Sequence, residues 1–383
     1  MKKILILGGS HRDIPLIKAA QDLGYFVATL GDRDYYLGHS YADKFFRVNF
    51  HDFDKIKEIY KKEKIDYIIP GSGEQAYLNA VVLSKELNIC AFDEIDTAKL
   101  IHNKWKFKEF CVKNKIPTPK GQFFDKSFDS KKINFPLIVK PTILSGGRGV
   151  SIARDEEQLH DSILNASKND SEIVIEEFIE GSLVAYSVFL KESKVLFGFL
   201  GKDESYKNKY LITTAYPICI KKCVENKIRS YVEKIARELS LVDGMFHLQI
   251  ILRDEIPYFI DVTRRIPGDL YPNLIELCNG VDYSKAVIKS YIGLEINDEF
   301  INQEDKFYVR HCVMSPKNGL LEDIYIDEKI SKNIALRIDL IEFGAVIDNF
   351  LTDQIAIIIF EYSAKKIKDL RKIDQMIRVI IKD

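Results

Sequence analysis

Residues 137–149 read LIVKPTILSGGRG, an apolar segment that ends at Lys140-Pro141 and leads into the glycine-rich loop Ser145–Gly149. The segment Leu137–Lys140 is typical of a buried strand. Glycines let backbone N–H groups wrap around phosphate oxygens, and a lysine at the end of the preceding strand adds a point charge. The loop is not a Walker A motif, because GxxxxGK[ST] is absent. The pattern indicates a phosphate-binding loop; a plain glycine hairpin beside a solvated lysine is the alternative.

Residues 173–181 follow this loop and read IVIEEFIEG. A strand that ends in acids and resumes as an apolar pair can offer backbone carbonyl and N–H groups to the edge of a purine. A strand capped by a charged turn is the simpler alternative.

Two polar strands come later, with His247-Leu248-Gln249 on one and Asp261-Val262-Thr263-Arg264-Arg265 on the other. Side chains alternate along a strand, so Gln249, Asp261 and Thr263 converge if the two strands pair about the turn at 253–255. Oxygen ligands of this kind suit Mg²⁺ that bridges phosphates. An ordinary hairpin with a surface ion pair is the alternative.

The first 96 residues alternate strand and helix, with strands predicted at Lys3–Leu7, Tyr25–Leu30 and Tyr67–Ile69. Such βαβ alternation predicts a parallel sheet. Ligands lie beyond the carboxyl ends of such strands, where the glycine turns at 8–9 and 71–73 fall. A helix is predicted over 97–114, and the double proline of Ile116-Pro117-Thr118-Pro119 marks a boundary after it.

Composition excludes several classes of protein. The 383 residues carry 56 basic and 57 acidic side chains, so no global charge favours nucleic acid or acidic membranes. No apolar stretch approaches the ~20 residues of a spanning helix, and the apolar start ends at Leu7, too early for a signal peptide. The prediction is a cytoplasmic protein. The six cysteines form no zinc-binding pattern and read as reduced thiols.

Taken in order, Lys104, IPTP, IVKP, SGGRG, IEEFIEG, HLQ and DVTRR resemble the ATP-grasp superfamily, and within it the biotin-carboxylase and carbamoyl-phosphate-synthetase-like carboxylate–amine ligases. The resemblance implies an α/β and α+β chain with a Rossmann-like parallel sheet, a lid subdomain, an antiparallel core and a small β-rich C-terminal part. The predicted parts are an N-terminal domain, a linking helix, the lid, the core with its metal site, and a C-terminal subdomain closed by a helix at Lys365–Ile381. Their bounds are 1–96, 97–114, 115–180, 181–300 and 301–383.

The resemblance also assigns roles to residues. Catalysis falls to Arg265, which steadies the transferred phosphoryl group, and to Lys140. ATP would be held by Lys104, Lys140, Ser145, Gly146, Gly147, Arg148, Gly149, Glu176, Glu177, Phe178 and Ile179, with backbone groups of Glu177 and Ile179 reading adenine. The metal ligands would be Gln249, Asp261 and Thr263. The substrate pocket would be lined by Ser72, Gly73, Glu74, Arg264, Gly268 and Asp269.

The implied reaction is ATP-dependent: a small-molecule carboxylate becomes an acyl phosphate, which an amine converts to an amide with release of ADP and phosphate. ATP and one or two Mg²⁺ ions, or Mn²⁺ in their place, are the implied cofactors. Homodimers are common among such ligases, whereas nucleic acid and membrane partners are not expected. Gln249 stands where the family usually has Glu, Asp261 where it has Glu, and Thr263 where it has Asn, so the metal site carries one formal negative charge.

Two alternatives come from other classes. A nucleotide-binding protein without ligase turnover would fit the depleted metal site. An NAD-dependent oxidoreductase would fit the Gly8-Gly9 turn with Asp32 placed 24 residues after Gly8, although GGSHRD lacks the third glycine of GxGxxG.

Overall fold

The computed structural model describes residues 1–89, 91–142, 149–168, 172–296, 299–300 and 305–382. Ser145, Gly146, Gly147 and Arg148 of the predicted phosphate loop lie outside these residues. None of the described helices combines the length and apolar character that crossing a bilayer requires.

A parallel sheet opens the chain, as the βαβ alternation predicts. Its strands lie in the order β3-β2-β1-β4, and β1 is buried on both faces because helices cover the sheet. The short strand β3 was not predicted. The strands are β1 Lys3–Leu7, β2 Phe26–Gly31, β3 Lys44–Arg47 and β4 Tyr67–Pro70, and the helices are α1 Ile14–Asp22, α2 Phe53–Glu63 and α3 Glu74–Leu87.

The segment predicted as one linking helix over 97–114 forms two helices, α4 Ile95–Ile101 and α5 Lys104–Lys113. The break falls at His102-Asn103, where the Asn103 side chain accepts a hydrogen bond from the backbone N–H of Lys106. An asparagine that caps a new helix in this way ends the preceding one. His102 is thereby turned inward between the two helices, and it is buried.

An antiparallel sheet with the order β5-β8-β6-β7 forms the predicted lid. Helix α6 packs on one face through Leu159 and Ala166, against a buried cluster that includes Leu137, Val139 and Ile175. The elements are β5 Gly121–Phe123, β6 Leu137–Pro141, β7 Ser151–Ala153, α6 Glu156–Ser167 and β8 Ile173–Glu177.

A long antiparallel sheet, in the order β13-β12-β9-β10-β11-β14-β18-β16, continues across the boundary predicted at residue 300. Its shortest strand is β11 Thr214–Pro217. The other strands are β9 Ser182–Lys191, β10 Lys194–Glu204, β12 Gly244–Arg253, β13 Ile256–Thr263, β14 Tyr308–Met314, β16 Ile334–Asp339 and β18 Gln354–Glu361. The helices packed on it are α7 Lys222–Glu238, α8 Tyr271–Asn279 and α9 Tyr283–Tyr291.

The chain does not end in the predicted helix Lys365–Ile381. A 3₁₀ helix at Ala364–Lys372 and the short α11 Ile373–Met376 lead into β19 Ile377–Lys382, which pairs antiparallel with β15 Gly319–Ile326. Residues 377–382 read IRVIIK, and β-branched side chains favour a strand once a partner is present. β17 Val346–Ile347 pairs with the other edge of β15, and α10 Glu328–Ser331 lies between β15 and β16.

Candidate functional site

The two glycine turns at the carboxyl ends of β1 and β4 are joined by the buried carboxylate of Asp13. Its Oδ2 accepts hydrogen bonds from the N–H groups of Gly9 at 2.8 Å and Ser10 at 2.9 Å, and its Oδ1 accepts one from Ser72 at 2.6 Å. A Cβ on Gly71 would lie 2.6 Å from Asp13 Oδ1, so this close approach needs glycine. Asp13 thus fixes the turn that carries the predicted substrate residues.

Ser72 and Gly73 lead directly into helix α3. Ser72 is buried, Gly73 is the N-cap residue, and Glu74 is the first residue of the helix. A carboxylate at a helix N-terminus is favoured by the helix dipole. The turn therefore presents Glu74 on the side of the N-terminal domain that faces the core sheet.

Glu74 meets residues from two other elements. Arg265, just after β13, approaches Glu74 with 3.6 Å between Nη2 and Oε1, and Lys104, at the start of α5, lies 3.7 Å from Asp261 Oδ2 through its Nζ. Burial raises the pKa of Glu74, although Lys104 and Arg265 oppose that effect. Three separate parts of the chain thus contribute opposite charges to one cluster, which we call the charge cluster: Glu74, Lys104, Asp261 and Arg265.

The predicted metal residues lie on the paired strands β12 and β13, as the period-two pattern predicts. Gln249 is directly opposite Asp261, and Thr263 is opposite His247. Asp261 Oδ1 accepts a hydrogen bond from the N–H of Val262 at 3.0 Å, which leaves Oδ2 toward Lys104. Among the described residues no group of three or more His, Cys, Asp or Glu side chains could hold a metal ion. The predicted oxygen ligands comprise one carboxylate, one amide and one hydroxyl, from Asp261, Gln249 and Thr263.

Lys140 is paired with Glu176 of β8, at 2.9 Å between Nζ and Oε2, and Lys108 of α5 takes the other oxygen of Glu176 at 3.1 Å. Burial alone would raise the pKa of Glu176, but the two lysines outweigh it and hold that pKa below its ordinary value. Burial lowers the pKa of Lys108 despite the same contact. Sequence reasoning missed Lys108, although KWKFKEF places a lysine one turn after Lys104.

The segment after β8 makes its backbone contacts with the lid. The N–H of Glu177 donates to the carbonyl of Lys120 at 2.9 Å, and the N–H of Phe178 donates to the carbonyl of Pro136 at 2.8 Å. Ile179 is buried, and its N–H has no hydrogen-bond partner in the part of the chain that the structure describes. Its donor is therefore available to a ligand.

Arg264 is not brought into the charge cluster. Its buried guanidinium donates to Asp93 Oδ2 through Nε at 2.8 Å and to the carbonyls of Met245 and Val242 at 2.6 and 2.7 Å. Asp93 in turn accepts from the hydroxyl of Tyr77 at 3.2 Å. Arg264 and Arg265 follow β13 directly and contact different partners, since Arg264 pairs with Asp93 and Arg265 approaches Glu74.

Gly268 and Asp269 lie where three parts of the chain meet. Arg12 of the N-terminal turn donates to Asp269 Oδ1 through Nε at 2.8 Å, and Arg310 of β14 lies 4.0 Å from Oδ2. Burial would raise the pKa of Asp269, but the neighbouring cations, Arg12 first and also Arg310, hold that pKa well below its ordinary range. Asp269 has φ of 53°, a left-handed conformation that is costly outside glycine and concentrates at functional sites. Arg310 was missed, yet an arginine inside the apolar run YVRHCVM is a signal of function.

Gly149 is the described end of the predicted phosphate loop, and its φ of 72° is one that glycine adopts freely. The other residues of that loop, like their predicted contacts, lie outside the described residues.

The chain is similar to several known proteins. Over 324 residues the chain is 26% identical to the carbamoyl phosphate synthase large chain of Clostridium botulinum. The aligned region covers 78% of this chain and 30% of that protein. It is 25% identical over 280 residues to the formate-dependent phosphoribosylglycinamide formyltransferase of Wolinella succinogenes, covering 69% of this chain and 70% of that protein. The chain thus spans less than a third of the synthase chain that it matches.

The structure of an L-amino acid ligase from Bacillus licheniformis has the same fold, with a TM-score of 0.85 at 19% identity over 100% of this chain and 99% of that one. A family model described as "ATP-grasp domain" matches residues 101–269, a range that begins just before Lys104 and ends at Asp269. The chain therefore carries an ATP-grasp domain over residues 101–269.

Proposed function

We propose that this protein is an ATP-dependent carboxylate–amine ligase, which phosphorylates a small-molecule carboxylate and joins the acyl phosphate to an amine. The observation that carries the proposal is the charge cluster. Glu74 of the N-terminal domain pairs with Arg265, just after β13, and Lys104 of α5 pairs with Asp261 of β13. The N-terminal domain and the ATP-grasp domain thus share one polar centre, as a reaction between a nucleotide and a second substrate requires.

The cations of the site would reduce the electrostatic repulsion that opposes this reaction. A carboxylate that attacks the γ-phosphate brings two anions together, and fixed positive charge must offset their repulsion. Lys104, Lys140 and Arg265 supply that charge. In the structure each pairs with an acid: Lys104 with Asp261, Lys140 with Glu176 and Arg265 with Glu74. Phosphate oxygens would take over part of these contacts when ATP binds.

A magnesium ion fits the donor set on β12 and β13, because Gln249, Asp261 and Thr263 offer neutral and anionic oxygens on neighbouring positions. Bound there with the nucleotide, it would neutralise charge on the phosphates. With one carboxylate among these ligands, the phosphates themselves would have to complete its coordination. Adenine would lie against the segment after β8, where the N–H of Ile179, which has no partner among the described residues, supports the proposed contact.

In the second half of the reaction, the amine nitrogen attacks the acyl carbon, the C–O bond to phosphate breaks, and the amide and inorganic phosphate form with loss of a proton from nitrogen. Water would destroy the acyl phosphate, so the site must close before the first step. Asp269 follows Arg265 by four residues, and Arg12 and Arg310 contact Asp269. These three residues would line the pocket of the second substrate.

The direct experiment measures ADP release in the presence of Mg²⁺, ATP and pools of carboxylates and amines. We expect turnover that depends on both pools and that Lys140→Ala and Arg265→Met abolish. Lys132→Ala, at an exposed lysine of the lid, is the matched control and should retain full turnover.

An active Arg265→Met enzyme would contradict the proposed role of Arg265. Tight ATP binding without carboxylate-dependent ADP release would instead favour a nucleotide-binding protein without ligase turnover, and binding of NAD alone would favour the oxidoreductase alternative. Homodimer formation stays a prediction, which light scattering would test.

A further inference from the structure

His102 lies beside the charge cluster, and the reaction proposed above does not use it. It occupies the break between α4 and α5, two residues before Lys104, and it is 7% exposed. Its ring stacks on that of Tyr77, with 4.8 Å between the centroids. Tyr77 follows Glu74 by one turn of α3. The imidazole therefore lies between the helix that carries Glu74 and the helix that carries Lys104.

Both ring nitrogens of His102 are buried and lack a hydrogen-bond partner among the residues that the structure describes. Arg265 has a complementary deficit. Its Nη1 donates to the carbonyl of Ile266 at 3.1 Å and its Nη2 approaches Glu74, but its buried Nε has no partner within the same described residues. Buried polar atoms are partnered in the great majority of cases, so a buried donor and a buried acceptor beside one cluster require an explanation.

The ring of His102 is an acceptor under physiological conditions. Burial lowers the pKa of His102 to about 3, and Arg265 is the neighbouring charge that contributes most to this, ahead of Lys104 and Arg264. The geometry also places the two groups close together, because the ring stacks on Tyr77, one turn of α3 after Glu74, and Glu74 Oε1 lies 3.6 Å from Arg265 Nη2. A neutral ring has one N–H and one nitrogen lone pair, and the lone pair suits the Nε–H of Arg265, which lacks a partner among the described residues.

We propose that His102 is a positioning residue for Arg265. With ATP and the carboxylate bound, the Nε–H of Arg265 donates to a ring nitrogen of His102, which directs both Nη groups at the phosphoryl group in transfer. The orientation of the guanidinium is then fixed by a hydrogen bond from Nε to His102, and it no longer depends on the contact between Nη2 and Glu74 alone. This role rests on the proposed ligase function, since it acts through Arg265.

His102→Phe and His102→Gln separate the nitrogen from the ring. Phenylalanine keeps the stack on Tyr77 but has no acceptor, whereas glutamine keeps an acceptor. We expect His102→Phe to lower kcat about 10- to 100-fold, as loss of a hydrogen bond to a charged group does, with KM for ATP within about twofold of wild type. His102→Gln should recover to within about threefold of wild type in kcat. Equal turnover of His102→Phe and wild type, or a glutamine variant as slow as the phenylalanine variant, would overturn the role.

A second measurement does not depend on turnover, so it separates failure of this inference from failure of the ligase proposal. The ¹⁵N resonance of the Arg265 Nε–H, assigned by its absence in Arg265→Lys, is recorded with Mg²⁺ and a non-hydrolysable ATP analogue. We expect slow exchange of this proton with solvent in wild type and His102→Gln, and exchange at least about tenfold faster in His102→Phe. The same exchange rate in all three proteins would overturn the inference even if the ligase reaction is found.

Discussion

At the scale of the residue, Glu176 is a buried carboxylate whose two oxygens each pair with a lysine that is itself buried. Glu176→Gln would leave Lys108 and Lys140 without a counter-charge in a nearly water-free setting. Breaking a buried pair in this way costs about 3–5 kcal/mol of unfolding free energy. Urea unfolding of the variant checks this expectation.

The neighbouring Glu177→Gln is the matched control, since Glu177 is only half-buried and its side chain accepts one backbone N–H, from Lys120. It should cost no more than about 1 kcal/mol, the usual net value of one such hydrogen bond. If both variants lost the same stability, the two lysines would not depend on Glu176.

Asp203 predicts a pH dependence of stability. It lies on β10 in one cross-strand row with Ala215 and Arg310, and burial raises its pKa to about 7 although Arg310 opposes the shift. A carboxyl group whose folded pKa exceeds the unfolded value of about 3.9 stabilises the fold below that value, and the contribution is lost as pH rises through 7. Asparagine does not titrate. From pH 5 to pH 8, Asp203→Asn should therefore gain roughly 3 kcal/mol relative to wild type.

Urea unfolding of the two proteins at both pH values measures this difference. Asp254→Asn, on the exposed turn between β12 and β13, controls for the loss of a carboxyl group at the surface. Parallel stability curves for wild type and Asp203→Asn would show that Asp203 is ionised throughout this range.

At the scale of the element, the hairpin of β12 and β13 was predictable because its evidence is local. Alternation with period two and a charged turn of Arg253-Asp254-Glu255 set which residues share a face, and Gln249 does pair with Asp261. The break between α4 and α5 was not predictable, because helical periodicity continues through it and only the Asn103 cap marks it. Strand β19 depends on its partner β15, a contact that local pattern does not contain.

The hairpin also predicts how the metal site responds to a second carboxylate. Gln249→Glu places an acid directly opposite Asp261. Without Mg²⁺ the like charges should lower stability by up to about 1 kcal/mol, the size of cross-strand pair effects. With Mg²⁺ and an ATP analogue the variant should bind the ion more tightly than wild type, because carboxylate oxygens are preferred ligands.

Thermal unfolding with and without Mg²⁺, at a fixed concentration of the analogue, measures both parts of this expectation. Gln158→Glu makes the same change beside Asp155 on α6, far along the chain from the hairpin, and should not alter the response to Mg²⁺. An unchanged Mg²⁺ response of Gln249→Glu would remove Gln249 from the proposed ligands.

At the scale of the whole molecule, the site depends on contacts between distant parts of the chain. Asp13 joins two turns of the N-terminal domain, Asp93 reaches Arg264 at the end of β13, and Asp269 gathers Arg12 and Arg310. Which residues surround ATP stays a prediction from the sequence motifs. The motifs could not distinguish Arg264 from Arg265, because the difference lies in their partners in the fold: Arg264 pairs with Asp93, and Arg265 approaches Glu74.

Arg264 and Arg265 should therefore respond differently to replacement. If Arg264 serves to hold the N-terminal domain to the core, Arg264→Met leaves the buried Asp93 unpaired and should cost about 3–5 kcal/mol of unfolding free energy. The double variant Asp93→Asn, Arg264→Met removes both charges and should recover part of that loss, so the double-mutant cycle gives a coupling energy well above zero. Urea unfolding of the four proteins provides the cycle.

The same variants measure the role that the resemblance assigns to Arg264. With a structural ion pair, the folded fraction of Arg264→Met keeps its KM for carboxylate and amine, because the guanidinium contacts Asp93 and two backbone carbonyls. If Arg264→Met had a raised substrate KM and wild-type stability, Arg264 would be a residue of the substrate pocket. In that case the guanidinium would have to leave Asp93 when substrate binds, and Asp93→Asn alone would be expected to lower that KM by freeing it.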